Sequence, residues 1–162
     1  MAIKWGLISL GRHSDIKIAP AINQASSAGF AAAYSRDMAT AEAFAVKHGA
    51  DAAYDSLDAM LADSNVDAVF VASPNFLHAE HTIAAARAGK HVLSEKPMAT
   101  SVSEAAAMVT ECDKHAVKLG VGFHLRFHPG HIKAKGLLDQ NALGAVSLVQ
   151  GQWCLGQRGI VN

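Results

Sequence analysis

The chain has 162 residues, which suits one domain with little left over, and 51% of them are hydrophobic while 17% are charged. This composition is typical of a globular protein with a core rather than of a disordered segment. Its 14 basic and 14 acidic residues cancel, which argues against a nucleic-acid partner or a polybasic membrane partner. No segment approaches the roughly 20 apolar residues that a membrane span needs.

Predicted strands and helices alternate through the first part of the chain. The near-continuous apolar run at 3–10 is typical of a strand buried on both faces. A turn at 11–14 follows, and Pro20 is expected to break or kink the next helix. Further strands are predicted at 30–35, 52–54, 66–72, 91–94 and 119–123. The alternation predicts a doubly wound parallel Rossmann sheet of the α/β class.

Helix boundaries are signalled by capping residues. Asp37 is a candidate N-cap for a helix that ends at Gly49. An alanine-rich helix is predicted at 77–88, with His78 and His81 near its start and a surface position expected for His81. Ser101 and Glu104 have the spacing of a capping box, which opens another helix.

The pattern changes after residue 123. A helix is predicted from about His131 to Leu138, with Pro129 and Gly130 expected to interrupt any earlier helix, and an alternating strand is predicted at 145–153. We therefore expect a dinucleotide-binding Rossmann domain at 1–123. The alternating strand has no predicted partner, so residues 124–162 are expected to be the first part of a larger, truncated unit.

The two cysteines, Cys112 and Cys154, lie far apart without metal-ligand spacing. They are interpreted as small buried hydrophobic residues of a reducing, cytoplasmic compartment. The histidines at 124, 128 and 131 have helical spacing but no nearby carboxylate, so no metal site is predicted.

The turn after the first strand resembles a degenerate phosphate-binding turn. Where three spaced glycines are expected, the chain has Ser9, Gly11 and Ser14. All three are small, and the helix N-terminus that includes Arg12 and His13 offers amide groups to an anion. Ser9, Gly11, Arg12 and His13 are therefore candidate cofactor-binding residues. The alternative is an ordinary turn between a strand and a helix.

The end of the second strand indicates which dinucleotide is bound. An NAD site is expected to have an acidic residue there for the ribose hydroxyls, whereas this chain has Ser35 and Arg36. Arginine forms charge-assisted bonds with phosphate, so this pair favours the 2′-phosphate of NADP, with NAD as the alternative. The competing interpretation is that Arg36 is a solvated residue at a helix start.

A lysine is the second residue after the fifth predicted strand. Glu95, Lys96 and Pro97 stand where a parallel strand ends, and ligands of open α/β sheets bind beyond the carboxyl ends of the strands. A lysine in this position is a candidate proton donor or phosphate contact.

Five segments in order resemble the Gfo/Idh/MocA oxidoreductases, the relatives of glucose–fructose oxidoreductase and inositol dehydrogenase. The resemblance covers residues 3 to about 153, and within the family it is nearest to NADP-linked keto-sugar reductases and to sugar or dihydrodiol dehydrogenases. The segments are Gly6–Ile8, Ser35–Asp37, Pro74 and Asn75 with His78, Ala88–Pro97, and Gly122–Arg126.

The resemblance implies roles for individual residues. Lys96 would be the catalytic lysine, beside the nicotinamide and the substrate. Glu95 would contact the nicotinamide ribose, and Pro97 would follow a cis peptide bond. The remaining implied cofactor-binding residues are Ser73, Pro74 and Asn75, which form a loop against the adenosine and pyrophosphate, His78 just behind that loop, and Arg126 near the nicotinamide.

The resemblance also implies the activity. We expect an NAD(P)-dependent oxidoreductase, NADP favoured, that transfers a hydride between the nicotinamide and a sugar, a polyol or a cyclic diol or ketone. The resemblance further implies that residues 124–162 are only the beginning of a C-terminal α/β domain for substrate binding and dimerisation, so the complete protein is expected to be a homo-oligomer. The aspartate and histidine that assist the lysine in the family belong to the second domain and have no matching positions here. The alternative is a dinucleotide-binding sensor or an inactive half-enzyme.

Overall fold

The computed structural model describes residues 2–152, which form two compact units with a boundary after Phe123. The first unit contains a six-stranded sheet in the order β3-β2-β1-β4-β5-β6, and every pair of neighbouring strands is parallel. The strands are β1 (Ile3–Ile8), β2 (Ala28–Tyr34), β3 (Ala52–Tyr54), β4 (Ala68–Val71), β5 (His91–Ser94) and β6 (Leu119–Val121). The predicted Rossmann-type sheet is confirmed, and the strand ends differ from the prediction by a residue or two.

Helices cover both faces of this sheet. They are α1 (Ala19–Gln24), α2 (Met38–His48), α3 (Leu57–Ala62), α4 (His78–Arg87) and α5 (Val102–Lys114). Two fully buried neighbours in β1 separate the two faces: Leu7 packs with the side of α1 and α2, and Ile8 packs with the side of α3 and α4. Burial on both faces explains the continuous apolar run in the sequence.

Three helix caps agree with the sequence. Asp37 accepts a hydrogen bond from the Thr40 amide, and Gly49 ends α2 with a left-handed φ of 73°. Ser101 and Glu104 form both bonds of the predicted capping box. Cys112 is buried as a free thiol, as predicted, whereas Cys154 lies outside the described residues.

The helix does not break at Pro20, which was one of the two predicted outcomes, a break or a kink. The chain is helical from 12 to 24, with a π-helical turn at Ser14–Ile18 in which the Ala19 amide donates to the Ser14 carbonyl. This turn places Pro20 at the start of α1. Proline is tolerated in a first turn, because the N–H that it lacks would have no partner within that helix.

The second unit contains a 3₁₀ turn at His124–Phe127 and α6 (Pro129–Asp139). The predicted interruption is confirmed, since His128 is extended and no helix runs through His124, His128 and His131. The helix starts at Pro129, two residues before the predicted start at His131, and His128 accepts the Gly130 amide as the N-cap. Residues 145–152 contain no strand, which contradicts the predicted strand over that range; Trp153 lies outside the described residues. A strand needs a hydrogen-bonded neighbour, and the described part of this unit supplies none.

Between residues 2 and 152, no helix is both long enough and apolar enough to cross a membrane.

Candidate functional site

The predicted cofactor residues gather at the carboxyl edge of the sheet. The strand order reverses between β1 and β4, and a doubly wound sheet binds its ligand outside the strand ends at such a reversal. A cavity of about 380 Å³ lies there. Five predicted residues line it, namely Ser9, Ser35, Arg36, Ser73 and Pro74, together with Leu10, Tyr34, Phe76, Leu77 and His81. Sequence positions far apart are thus joined in one concave site.

The predicted phosphate-binding turn after β1 has a left-handed residue in the place of its first glycine. Ser9 has a φ of 76°, a left-handed conformation that glycine adopts more easily. The buried Ser14 donates its hydroxyl to the Ser9 carbonyl at 2.7 Å, which ties the turn to the helix that begins at Arg12. A Cβ added to Gly11 would meet nothing within 4 Å. This open space beside helix-terminal amides fits a pyrophosphate.

The turn after β2 exposes a guanidinium at the cavity. The Ser35 hydroxyl accepts the Asp37 amide at 3.3 Å, and Thr40 donates to the Asp37 carboxylate through both its hydroxyl and its amide. The bond from the Thr40 hydroxyl, and then that from its amide, lower the pKa of Asp37, which keeps the cap charged. Arg36 is exposed and has no ion-pair partner among residues 2–152. It is therefore free to meet an anion.

The loop after β4 is fixed by a buried histidine. His78 is 1% exposed, with Nδ1 at 2.7 Å from the Pro97 carbonyl and Nε2 at 2.8 Å from the Ser73 carbonyl. Both ring nitrogens are therefore occupied by the backbone, so His78 positions the two loops and has no free polar atom for a cofactor in this structure. Asn75 lies exposed in the 3₁₀ turn Asn75–Leu77.

His81 is buried, so its predicted surface position is wrong. It was expected at the surface, but it is 8% exposed and its Nδ1 lies 3.0 Å from the Ser73 hydroxyl. On a helix, residues three and four positions apart share a face, and α4 turns His78, His81 and Thr82 inward together. Ala85 and Ala86 follow His81 by about one helical turn and are also buried. Their small apolar side chains are the sequence signal that could have identified His81 as part of the buried face of α4.

The turn after β5 brings the predicted catalytic lysine to the same edge. The Lys96–Pro97 bond is cis, as the resemblance implied. Glu95 is held at both carboxylate oxygens: Oε1 lies 2.9 Å from His13 Nε2, and Oε2 accepts the Lys96 amide at 3.0 Å. The Lys96 side chain is exposed, and its ammonium has no partner in the described part of the chain.

Arg126 belongs to the second unit. It lies exposed in the 3₁₀ turn and lines a surface groove with Leu125, His131 and residues of α6. Its predicted position near the nicotinamide stays a prediction. Over residues 2–152, the structure contains no group of three or more histidine, cysteine, aspartate or glutamate residues that could hold a metal ion.

Comparison with known proteins gives a family match. Residues 3–123 match the family model GFO_IDH_MocA, described as an oxidoreductase family with an NAD-binding Rossmann fold. The chain is 45% identical to D-xylose 1-dehydrogenase (NADP(+)) 2 of Haloferax volcanii, over 88% of the chain and 43% of that protein. It is 32% identical to trans-1,2-dihydrobenzene-1,2-diol dehydrogenase of Danio rerio, over 94% of the chain and 46% of that protein.

A solved structure shows the same fold. Scyllo-inositol dehydrogenase from Lactobacillus casei, with bound NAD(H) and scyllo-inositol, matches with a TM-score of 0.82 and 32% identity, over 89% of this chain and 43% of that one. The chain therefore spans less than half the length of these relatives.

Proposed function

The chain belongs to the Gfo/Idh/MocA oxidoreductase family, and from this membership we propose that the protein is an NAD(P)-dependent dehydrogenase or reductase of a sugar, a polyol or a cyclic diol or ketone. The observation that carries the proposal is the cavity that joins Ser9, Arg36 and Ser73 at the carboxyl edge of the sheet. The relatives named for xylose, a dihydrodiol and scyllo-inositol support the substrate class.

NADP is the favoured cofactor. Gly11 and the helix start at Arg12 and His13 would hold the pyrophosphate, and Ser35 with the unpaired Arg36 would hold the 2′-phosphate. The relative from Haloferax volcanii is named for NADP(+), whereas the inositol dehydrogenase structure holds NAD(H). NAD therefore remains the alternative.

Lys96 would supply the proton chemistry. The bound nicotinamide provides or accepts the hydride. In reduction, Nζ of Lys96 would give a proton to the substrate oxygen and its charge would stabilise the developing alkoxide; in oxidation it would receive the proton. Glu95, fixed by His13, would orient the nicotinamide ribose beside it.

The test is a titration of the 162-residue chain with NADPH and with NADH, followed by protein and cofactor fluorescence. NADPH should bind more tightly; equal affinity or tighter NADH would refute the role of Arg36, and binding of neither would refute the proposed function.

In a preparation that turns over a sugar or diol, Lys96→Ala should leave NADPH affinity nearly unchanged and abolish turnover. Normal turnover without Lys96 would contradict its assignment.

A second candidate is a dinucleotide-binding sensor without turnover. The observation that favours it is the Lys96 ammonium, which has no acidic or histidine partner among residues 2–152. Cofactor binding without oxidation of any sugar, polyol or diol would support this candidate. A homo-oligomeric assembly and a cytoplasmic location are further proposals: the family resemblance supports the first, and the buried free thiol of Cys112 the second.

A further inference from the structure

His81 lines the cofactor cavity from the side of β4 and α4. It is more than nine-tenths buried, at 8% exposure, yet it is among the residues that line this cavity. The residues around it in the loop after β4 are Ser73, Pro74, Phe76 and Leu77. Ser35 and Arg36, which follow β2, line the cavity as a separate polar group. The wall of the cavity formed by α4 and the loop after β4 is therefore mostly apolar, and its polar side chains are those of Ser73 and His81.

One nitrogen of the His81 ring is used and the other is free. Nδ1 pairs with the Ser73 hydroxyl at 3.0 Å, whereas Nε2 has no hydrogen-bond partner among residues 2–152. In the same range, the only fully enclosed side-chain polar atom without a partner is the Thr82 hydroxyl. Nε2 is therefore not fully enclosed by protein atoms. The open space that the His81 side chain lines is the cavity.

The ring is suited to an uncharged ligand group. Burial lowers the pKa of His81 below its ordinary value of 6.5; His78 acts in the same direction, and Glu80 opposes it. At neutral pH the imidazole is uncharged, with one N–H and one acceptor nitrogen. The Ser73 hydroxyl can donate to or accept from Nδ1, so Nε2 can accept from or donate to a ligand. A phosphate would be better met by the permanent charge of Arg36.

We propose that His81 is a further cofactor-binding residue, and that its Nε2 makes a hydrogen bond to the edge of the adenine base. The inference rests on the proposed function, since it assigns an additional contact in the same cofactor site. The apolar lining of Pro74, Phe76 and Leu77 suits a purine ring, and a neutral hydrogen-bonding nitrogen suits its edge. Ser73 acts through His81 by fixing the orientation of the ring.

The experiment compares three probes on the 162-residue chain: AMP, adenosine 2′,5′-bisphosphate and nicotinamide mononucleotide. AMP and nicotinamide mononucleotide share the ribose 5′-phosphate and differ in the base, and the bisphosphate adds the 2′-phosphate. Affinities are measured by calorimetry or ligand-observed NMR. The variant His81→Asn keeps an amide near Nδ1 for Ser73 and removes the Nε2 position. The variant His81→Gln reaches the Nε2 position and is the matched control.

His81→Asn should weaken AMP and the bisphosphate by the same factor, about ten-fold for one lost hydrogen bond, and leave nicotinamide mononucleotide unchanged. His81→Gln should recover most of the affinity, and both variants should unfold at the temperature of the wild type. The proposal is overturned if no affinity changes, if only the bisphosphate weakens, or if all three probes weaken together. Failure of the wild type to bind either NADPH or NADH would instead refute the proposed function itself.

Discussion

Nε2 of His13 lies 2.9 Å from Oε1 of Glu95, which joins the turn after β1 to the turn after β5 across the end of β4. A carboxylate can only accept, so the imidazole donates its Nε2 proton. The second oxygen of Glu95 accepts the Lys96 amide at 3.0 Å. The orientation of Glu95 therefore depends on the helix start that follows β1, and the contact links two of the predicted cofactor-binding segments.

The first prediction measures this link with a double-mutant cycle of His13→Ala and Glu95→Ala. Because His13 is half exposed, at 53% of its side chain, we expect a stabilising coupling of only about 0.2–1 kcal/mol in urea unfolding. The control cycle pairs His13→Ala with Glu104→Ala, since Glu104 caps α5 and does not contact His13. Additive effects in the His13–Glu95 cycle would contradict the predicted stabilisation by this contact.

The second prediction concerns the choice between the two dinucleotides. Arg36→Ala should weaken NADPH binding by roughly ten-fold or more, because a charge-assisted bond to the 2′-phosphate is lost, and should change NADH binding by less than about two-fold. Fluorescence titration of both cofactors gives the ratio. Lys118→Ala is the matched control. Lys118 is an exposed cation just before β6, so it lies at the amino edge of the sheet, opposite to the predicted cofactor site. An equal loss for both cofactors would contradict the assignment.

The sheet could be predicted because burial on both faces leaves a direct mark in the sequence. Leu7 and Ile8 are both fully buried, on opposite faces, and this is why the sequence of β1 is a near-continuous apolar run. Residues one or two positions after a strand, such as Ser9 and Lys96, could be assigned to one edge because parallel strands all end there. The contacts between individual side chains at that edge could not be predicted from the sequence.

What could not be predicted depends on contacts through space. The His13–Glu95 bond requires β4 to lie between β1 and β5, which a local pattern does not encode. His81 looked like a surface residue because two polar neighbours near a helix start do not reveal which face meets the sheet. The start of α6 was predicted at His131 rather than at Pro129, because the cap at His128 depends on backbone conformation, and only with that cap does proline become a first-turn residue.

The third prediction concerns the substituted glycine turn. Ser9 has a left-handed φ of 76°, a conformation that costs a non-glycine residue on the order of 1–2 kcal/mol. A glycine avoids this strain, but it loses more conformational entropy on folding, which costs about 0.5–1 kcal/mol. Ser9→Gly should therefore stabilise the fold by up to about 1 kcal/mol in urea unfolding, and Ser9→Ala should not. Ala116→Gly, at a φ of 54° after α5, is the positive control. Destabilisation by Ser9→Gly would mean that the serine hydroxyl supports the turn.

The fourth prediction starts from the ion cluster that joins α4 to α5. Glu111 lies 3.3 Å from Nε of Arg87 and 3.1 Å from both Nζ of Lys114 and Nε2 of His115. Hydrogen bonds from Arg87 and then Lys114 outweigh partial burial and lower the pKa of Glu111 from 4.5 to about 2. The folded state therefore binds this proton more weakly than the unfolded state, so the carboxylate stabilises the fold above pH 4.5.

Replacement of the carboxylate by an amide should reveal this contribution and its pH range. Glu111→Gln should unfold at a lower temperature than the wild type at pH 7, and the difference should shrink as the pH falls from 4.5 towards 2, where the wild-type carboxylate becomes protonated. Thermal unfolding followed by circular dichroism across this range gives the difference at each pH. Glu42→Gln is the matched control, because Glu42 is an exposed carboxylate on α2 with no ion pair among residues 2–152, and it should show no such pH dependence. A difference that stays constant from pH 7 to pH 2 would mean that the cluster stabilises through packing of its side chains rather than through the charge of Glu111.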